Sequence, residues 1–229
     1  MGDMVSFASN GLDARGYLAV PESGSGPGLI VLQEWWGLNE QIKGVADRLA
    51  GQGFVALAPD LYHGELAGHD EMDKAGQLMT ELPPDRAAKD MSGAVDYLGG
   101  HDATTGDGVG AIGFCMGGLM TMMISALRGD KVTAAMPFYG FPAADSEPDW
   151  SGLTAVVRGH MASPDDFFTP EAAKALEAKL QGMGKDVQFE IHEAGHAFMN
   201  ETNAIGTHDA ELAERVWPQV YEFFHAQLG

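Results

Sequence analysis

The sequence predicts an α/β fold, with a mostly parallel central sheet, helices on both faces and an antiparallel hairpin at the N-terminal edge. Three observations carry this. From Leu29 onward, short apolar runs alternate with amphipathic stretches of helical period, the pattern of βα units whose strands are covered on both sides. Before Leu29, two strand-like runs flank Asn10-Gly11, a dipeptide that favours a tight hairpin. Midway along the chain, Gly113-Phe114-Cys115-Met116-Gly117-Gly118 joins an apolar β-type run to a helical run rich in methionine and leucine.

Met4 to Ala8 and Ala14 to Val20 read as the hairpin strands, and Pro21 to Gly28 as a Ser/Gly/Pro loop. Leu29 to Leu32 is a short buried strand that ends in Gln33-Glu34-Trp35-Trp36-Gly37. Asn39 to Gly51 is helical, with Ile42, Val45, Ala46 and Leu49 on one face. Phe54 to Ala58 is a strand stopped by Pro59-Asp60. Leu61 to Leu82 is polar and mixed, with room for a short helix or a lid, and Pro83-Pro84 ends it. Asp85 to Leu98 is a second amphipathic helix.

The strand Gly108 to Phe114 and the helix Leu119 to Leu127 bracket the central hexapeptide. Val132 to Phe138 and Leu153 to Arg158 read as strands, the second stopping at Gly159-His160. Pro170 to Gln181 is a helix with proline first and Glu171 in its first turn. Val187 to His192 is the last strand, and Asp209 to Gln227 the closing helix, with a kink expected at Pro218. No repeat, linker or low-complexity tail interrupts the pattern, so residues 1–229 are expected to form one domain.

Thirteen basic against 33 acidic side chains give a formal charge of −20. That balance opposes nucleic acid and anionic lipid. The sequence lacks an apolar stretch of about 18 residues, so no membrane span is expected. The first ten residues show neither a basic start nor a long apolar run, so no secretory leader is expected. One cysteine in the whole chain excludes an internal disulfide and fits a reducing compartment, with the cytoplasm as the expected location. The charged surface favours a monomer, and no cofactor is expected.

Gly-x-nucleophile-x-Gly between a strand and a helix is the nucleophile elbow of α/β-hydrolases. Here the central residue is Cys115. Without the strand and helix around it, the same cysteine would read as a small core residue. Ligands of such sheets sit beyond the carboxyl ends of the strands. Those ends carry Glu34, Cys115, Asp165 and His196. Nucleophile, acid, histidine is the chain order of the triads of this fold. His196 is then the candidate base and Asp165 the group that holds its imidazole, with the adjacent Asp166 as rival.

The sequence resembles the dienelactone hydrolase (carboxymethylenebutenolidase) family of the α/β-hydrolase fold. The resemblance runs over nearly the whole chain. It is carried by Gln33 to Gly37, Ala58-Pro59-Asp60-Leu61-Tyr62, Gly113 to Gly118, Asp165 to Pro170 and Gly195-His196-Ala197-Phe198. It implies a triad of Cys115, His196 and Asp165 acting on an ester or lactone through an acyl-enzyme. It also implies that Glu34 holds the resting thiol neutral and away from the histidine. The backbone N–H groups of Met116 and Trp35 would form the oxyanion hole. Trp35, Trp36, Tyr62, Tyr139, Phe141 and Phe198 are candidates for the substrate pocket, with Arg86 as a cation from the lid side. The dienelactone-cleaving members use arginines to clamp a substrate carboxylate, one of them shortly after the histidine. Here that stretch reads Met199-Asn200-Glu201-Thr202.

Two other readings compete. His192-Glu193-Ala194-Gly195-His196 spells the His-Glu-x-x-His of zinc hydrolases, which requires a helix to bring both histidines to one metal. A binding or stress-related protein of the same fold would not turn over substrate, and it would need none of Cys115, Asp165, His196 and Glu34.

Overall fold

The computed structural model describes residues 1–9 and 11–229. The eight strands are β1 Asp3–Ser9, β2 Leu12–Ala19, β3 Gly26–Leu32, β4 Val55–Pro59, β5 Thr104–Phe114, β6 Val132–Phe138, β7 Val156–Ala162 and β8 Val187–His192. They form one sheet in the order β1-β2-β4-β3-β5-β6-β7-β8. β1 pairs with β2, and β2 with β4, in antiparallel register; every later pairing is parallel. Of the expected turn, Gly11 has φ +91°, and Asn10 lies outside the described residues.

The parallel strands are apolar on both sides because both sides are covered. In β3, Leu29 and Val31 face a core shared with α1 (Glu40–Ala50) and α6 (Ala210–Leu228), while Ile30 and Leu32 face one shared with α3 (Pro84–Gly99). β5 divides the same way, with Ile112 and Phe114 on one side and Val109 and Ala111 on the other. α4 (Met116–Leu127) and α5 (Pro170–Gly182) complete the second side beneath β6 and β7.

Several boundaries differ from the sequence reading. The stretch from Leu61 to Leu82 carries α2 (Met72–Glu81), which buries only Ala75. α4 begins directly after Cys115 rather than at Leu119. β7 is not Leu153–Arg158 but Val156–Ala162, because a 3-10 turn at Trp150–Gly152, capped by the Asp149 carboxylate, precedes it. Gly159 does not stop that strand. A Cβ there would lie 2.6 Å from the Phe189 ring, so the glycine makes room for a neighbour on β8. α6 runs on through Pro218. The proline and Glu214, four residues earlier, are both exposed, so the carbonyl left without its helical partner faces water.

Candidate active site

Cys115 stands at the junction of β5 and α4 with φ +55° and ψ −118°. That backbone costs a non-glycine residue about 1–3 kcal/mol and must be held by its surroundings. The close approaches are glycine-dependent. A Cβ on Gly117 would lie 2.2 Å from the Leu32 carbonyl oxygen, and one on Gly140 only 1.9 Å from that of Cys115. The turn therefore presses directly against the ends of β3 and β6. It leaves the thiol at the N-terminus of a twelve-residue helix, where the helix dipole favours negative charge.

Beside it is a cavity of about 390 Å³. Glu34, Trp35, Trp36, Cys115, Met116, His196 and Asn200 line it, and Met72 and Met79 reach it from α2. His196 lies past the end of β8. Its Nδ1 is 2.7 Å from Asp165 Oδ2. Asp165 Oδ1 accepts from the backbone N–H groups of Phe167, at 2.8 Å, and Phe168, at 3.0 Å. Asp165 is buried, whereas Asp166 is exposed, so the imidazole meets the first of the two rivals. Phe167 and Phe168 both lie beside the imidazole, with ring centroids 5.2 and 5.8 Å away.

Glu34 is 2% exposed. Asn200 Nδ2 donates to its Oε2 at 2.6 Å, and the Tyr139 hydroxyl donates to its Oε1 at 3.5 Å. Burial pushes the carboxyl up to about 7, although the Asn200 bond, the nearby His196 and Tyr139 each favour the charged form. The Cys115 thiol is pushed well above its ordinary range, by burial first and then by the Glu34 charge; the Met116 backbone N–H works in the opposite direction. Neither the Met116 nor the Trp35 amide has a main-chain acceptor among the described residues.

The pocket wall needs correction. Trp35 and Trp36 line the cavity, whereas Tyr62, Arg86, Tyr139, Phe141 and Phe198 do not. Tyr62 is buried, its hydroxyl 3.3 Å from Met116 Sδ. Arg86 turns back to the Leu61 carbonyl at 3.3 Å. Tyr139 and Phe198 stack edge to face, 5.2 Å apart, behind the histidine. Phe141 packs on Phe168. The four aromatic side chains are held by packing instead of being presented to a ligand. The sequence reading had not placed Met72, Met79, Phe167, Phe168, Ile205 and Asn200 at the cavity. The seven-residue spacing of the two methionines was the available cue.

The zinc-type motif does not assemble. His192 ends β8, and residues 193–209 after it form a loop, not a helix. Its Nε2 is 2.9 Å from His160 Nδ1, while His196 is engaged with Asp165 and Glu193 is exposed. The two histidines of the motif thus have different partners. Burial and the neighbouring His192 drive His160 down to about 3, which keeps it neutral.

The family model described as "Dienelactone hydrolase family" matches residues 14–228. The chain belongs to the dienelactone hydrolase family. "Protein usf" of Aquifex pyrophilus is 36% identical, with all of both chains covered. A protein of Aquifex aeolicus that carries the provisional name carboxymethylenebutenolidase is 34% identical, again over all of both chains. A solved structure from Klebsiella pneumoniae, provisionally named a dienelactone hydrolase, has a TM-score of 0.83 at 24% identity, covering 98% of each chain. It shows the shared α/β-hydrolase fold. Among the described residues no helix is long and apolar enough to cross a membrane.

Proposed function

We propose that this dienelactone hydrolase family member cleaves a carboxylic ester or lactone with Cys115 as nucleophile. One observation carries the reading. A cysteine held in a strained turn at a helix N-terminus shares a cavity with His196, whose far ring nitrogen is fixed by buried Asp165. Without substrate the thiol is kept protonated by burial and by Glu34, which protects it from oxidation. When a substrate carbonyl enters, His196 takes the thiol proton and sulfur bonds to the carbonyl carbon. The oxyanion lies against the N–H groups of Met116 and Trp35. The C–O bond then breaks, the alcohol leaves with the proton from His196, and the acyl group stays on sulfur. Water, deprotonated by His196, attacks the thioester. The C–S bond breaks, the acid departs and the thiol is restored. Asp165 keeps the imidazole in the right tautomer and stabilises its charged form.

A lone thiol that must stay reduced suits a reducing compartment, and we place the enzyme in the cytoplasm. The test is hydrolysis of an activated neutral ester and of a dienelactone, with EDTA present, by the wild type and Cys115→Ala. Turnover that survives EDTA and is lost in the variant is expected. Equal activity in the variant, or no turnover of either substrate, overturns the reading.

A further inference from the structure

We propose that the cavity selects neutral esters bearing an elongated apolar group, and rejects substrates whose distal end is a carboxylate. This deepens the cysteine-hydrolase reading and rests on it for the reacting bond. Apart from Glu34, Cys115, His196 and Asn200, the wall is almost wholly apolar, with four methionines, Met72, Met79, Met116 and Met120, among the lining residues. Unbranched thioether side chains adapt to irregular apolar shapes without fixing one of them. Met72 and Met79 lie two helical turns apart on α2, so they define a wall roughly 10 Å long. Both are about half exposed, at 49% and 43%, and Phe167, on the histidine side, is about two-thirds exposed, at 68%. Apolar side chains left open beside a reactive cavity are covered when an apolar ligand enters.

The lining contains no lysine or arginine. Outside the lining, Arg86 donates to the Leu61 carbonyl at 3.3 Å and its Nε has no partner among the described residues, Arg48 pairs with Glu201, and Lys74 of α2 lies 4.0 Å from Glu71. The one carboxylate in the wall is Glu34, and the whole chain carries −20. A second anion would therefore be desolvated with no partner and against like charge. A methylene placed on the wall should instead raise kcat/KM about fourfold, until the wall is filled.

Methyl octanoate and monomethyl suberate are near-isosteric substrates that differ in the distal carboxylate. We expect kcat/KM to favour the neutral ester by about 100-fold or more. We also expect a rise along the methyl acetate to methyl octanoate series, or along alkyl acetates lengthened in the alcohol half. Binding of the two esters to Cys115→Ala, read by tryptophan fluorescence, separates pocket from chemistry. Tighter binding of the neutral ester supports the proposal even if the wild type turns over neither, which would sink the hydrolase reading alone. Equal or tighter binding of the suberate ester overturns the proposal, as does turnover flat with chain length in both halves.

Discussion

Asn200 donates its side-chain amide to Glu34 at 2.6 Å, and both residues are buried beside Cys115. The partner of the buried carboxylate is thus a neutral amide, and Glu34 is left with a raised midpoint of about 7. The family resemblance implies an arginine just past the histidine in dienelactone-cleaving members. Asn200 stands in that stretch and offers hydrogen-bonding capacity without charge.

The Glu34 carboxyl sets a pH dependence of stability whose sign is fixed. Its folded midpoint, about 7, exceeds the ordinary glutamate value of 4.5, so between those values the folded state holds a proton that the unfolded state has released. Stability falls as pH rises through that window and levels off above it. The difference corresponds to roughly 3 kcal/mol at most. Glu34→Gln cannot ionise and should escape this loss. We expect the melting temperature of the variant relative to wild type to climb from pH 5 to pH 7.5; a gap independent of pH would show that Glu34 titrates normally.

The same substitution should expose the thiol chemically. Burial and the Glu34 charge both raise the Cys115 midpoint, and Glu34→Gln removes the second. One unit of recovery is about tenfold in thiolate fraction. Alkylation of the resting enzyme by iodoacetamide at pH 7.5 should accelerate by about that factor. An unchanged rate would mean that burial alone controls the thiol.

Asp165 and Asp166 are adjacent in sequence and opposite in situation. Only Asp165 is buried and reaches His196, at 2.7 Å. Asp165→Asn should present the wrong hydrogen-bonding face to Nδ1 and lower kcat by about 10³-fold or more. Asp166→Asn should stay within about twofold. Steady-state hydrolysis of a neutral ester compares them directly, and equal losses would remove Asp165 from its proposed role.

What the sequence disclosed was mostly local. The elbow could be read because its geometry depends on residues two positions from Cys115, and the sheet because apolar runs recur between helical stretches. The strand ends pointed to His196 and Asp165, which lie 2.7 Å apart. The pocket wall did not follow, because where Tyr62, Tyr139 and Phe198 point is decided by long-range packing against Met116, Glu34 and each other. α2 was ambiguous for a related reason. With only Ala75 buried and Leu78 half-buried beside it, its core-facing stripe is short, and its methionines line the cavity. Asn200 looked like any loop amide until Glu34 was placed against it.

The tight approach at the elbow extends to Gly140, after β6. A Cβ there would sit 1.9 Å from the Cys115 carbonyl oxygen, and backbone atoms on both sides leave little room for relaxation. Gly140→Ala should cost about 3 kcal/mol or more, or displace the thiol turn. Either effect lowers activity per milligram. Retention of wild-type melting temperature together with wild-type kcat/KM would show that the turn tolerates displacement.

Asp90 offers the converse case, a buried carboxylate remote from the cavity wall. It is 1% exposed, accepts from Ser9 Oγ at 2.6 Å and lies 2.7 Å from His63 Nε2. It thereby ties β1 and the loop after β4 to α3. Asp90→Ala leaves Ser9 buried without its partner and releases His63, at a cost of about 2 to 4 kcal/mol. For a chain of this size that is a fall of roughly 5 to 12 °C in melting temperature. None of the three side chains lines the cavity, so kcat/KM per folded molecule should stay within about twofold at 25 °C. A variant that melts normally but loses turnover would mean instead that this cluster positions the active site.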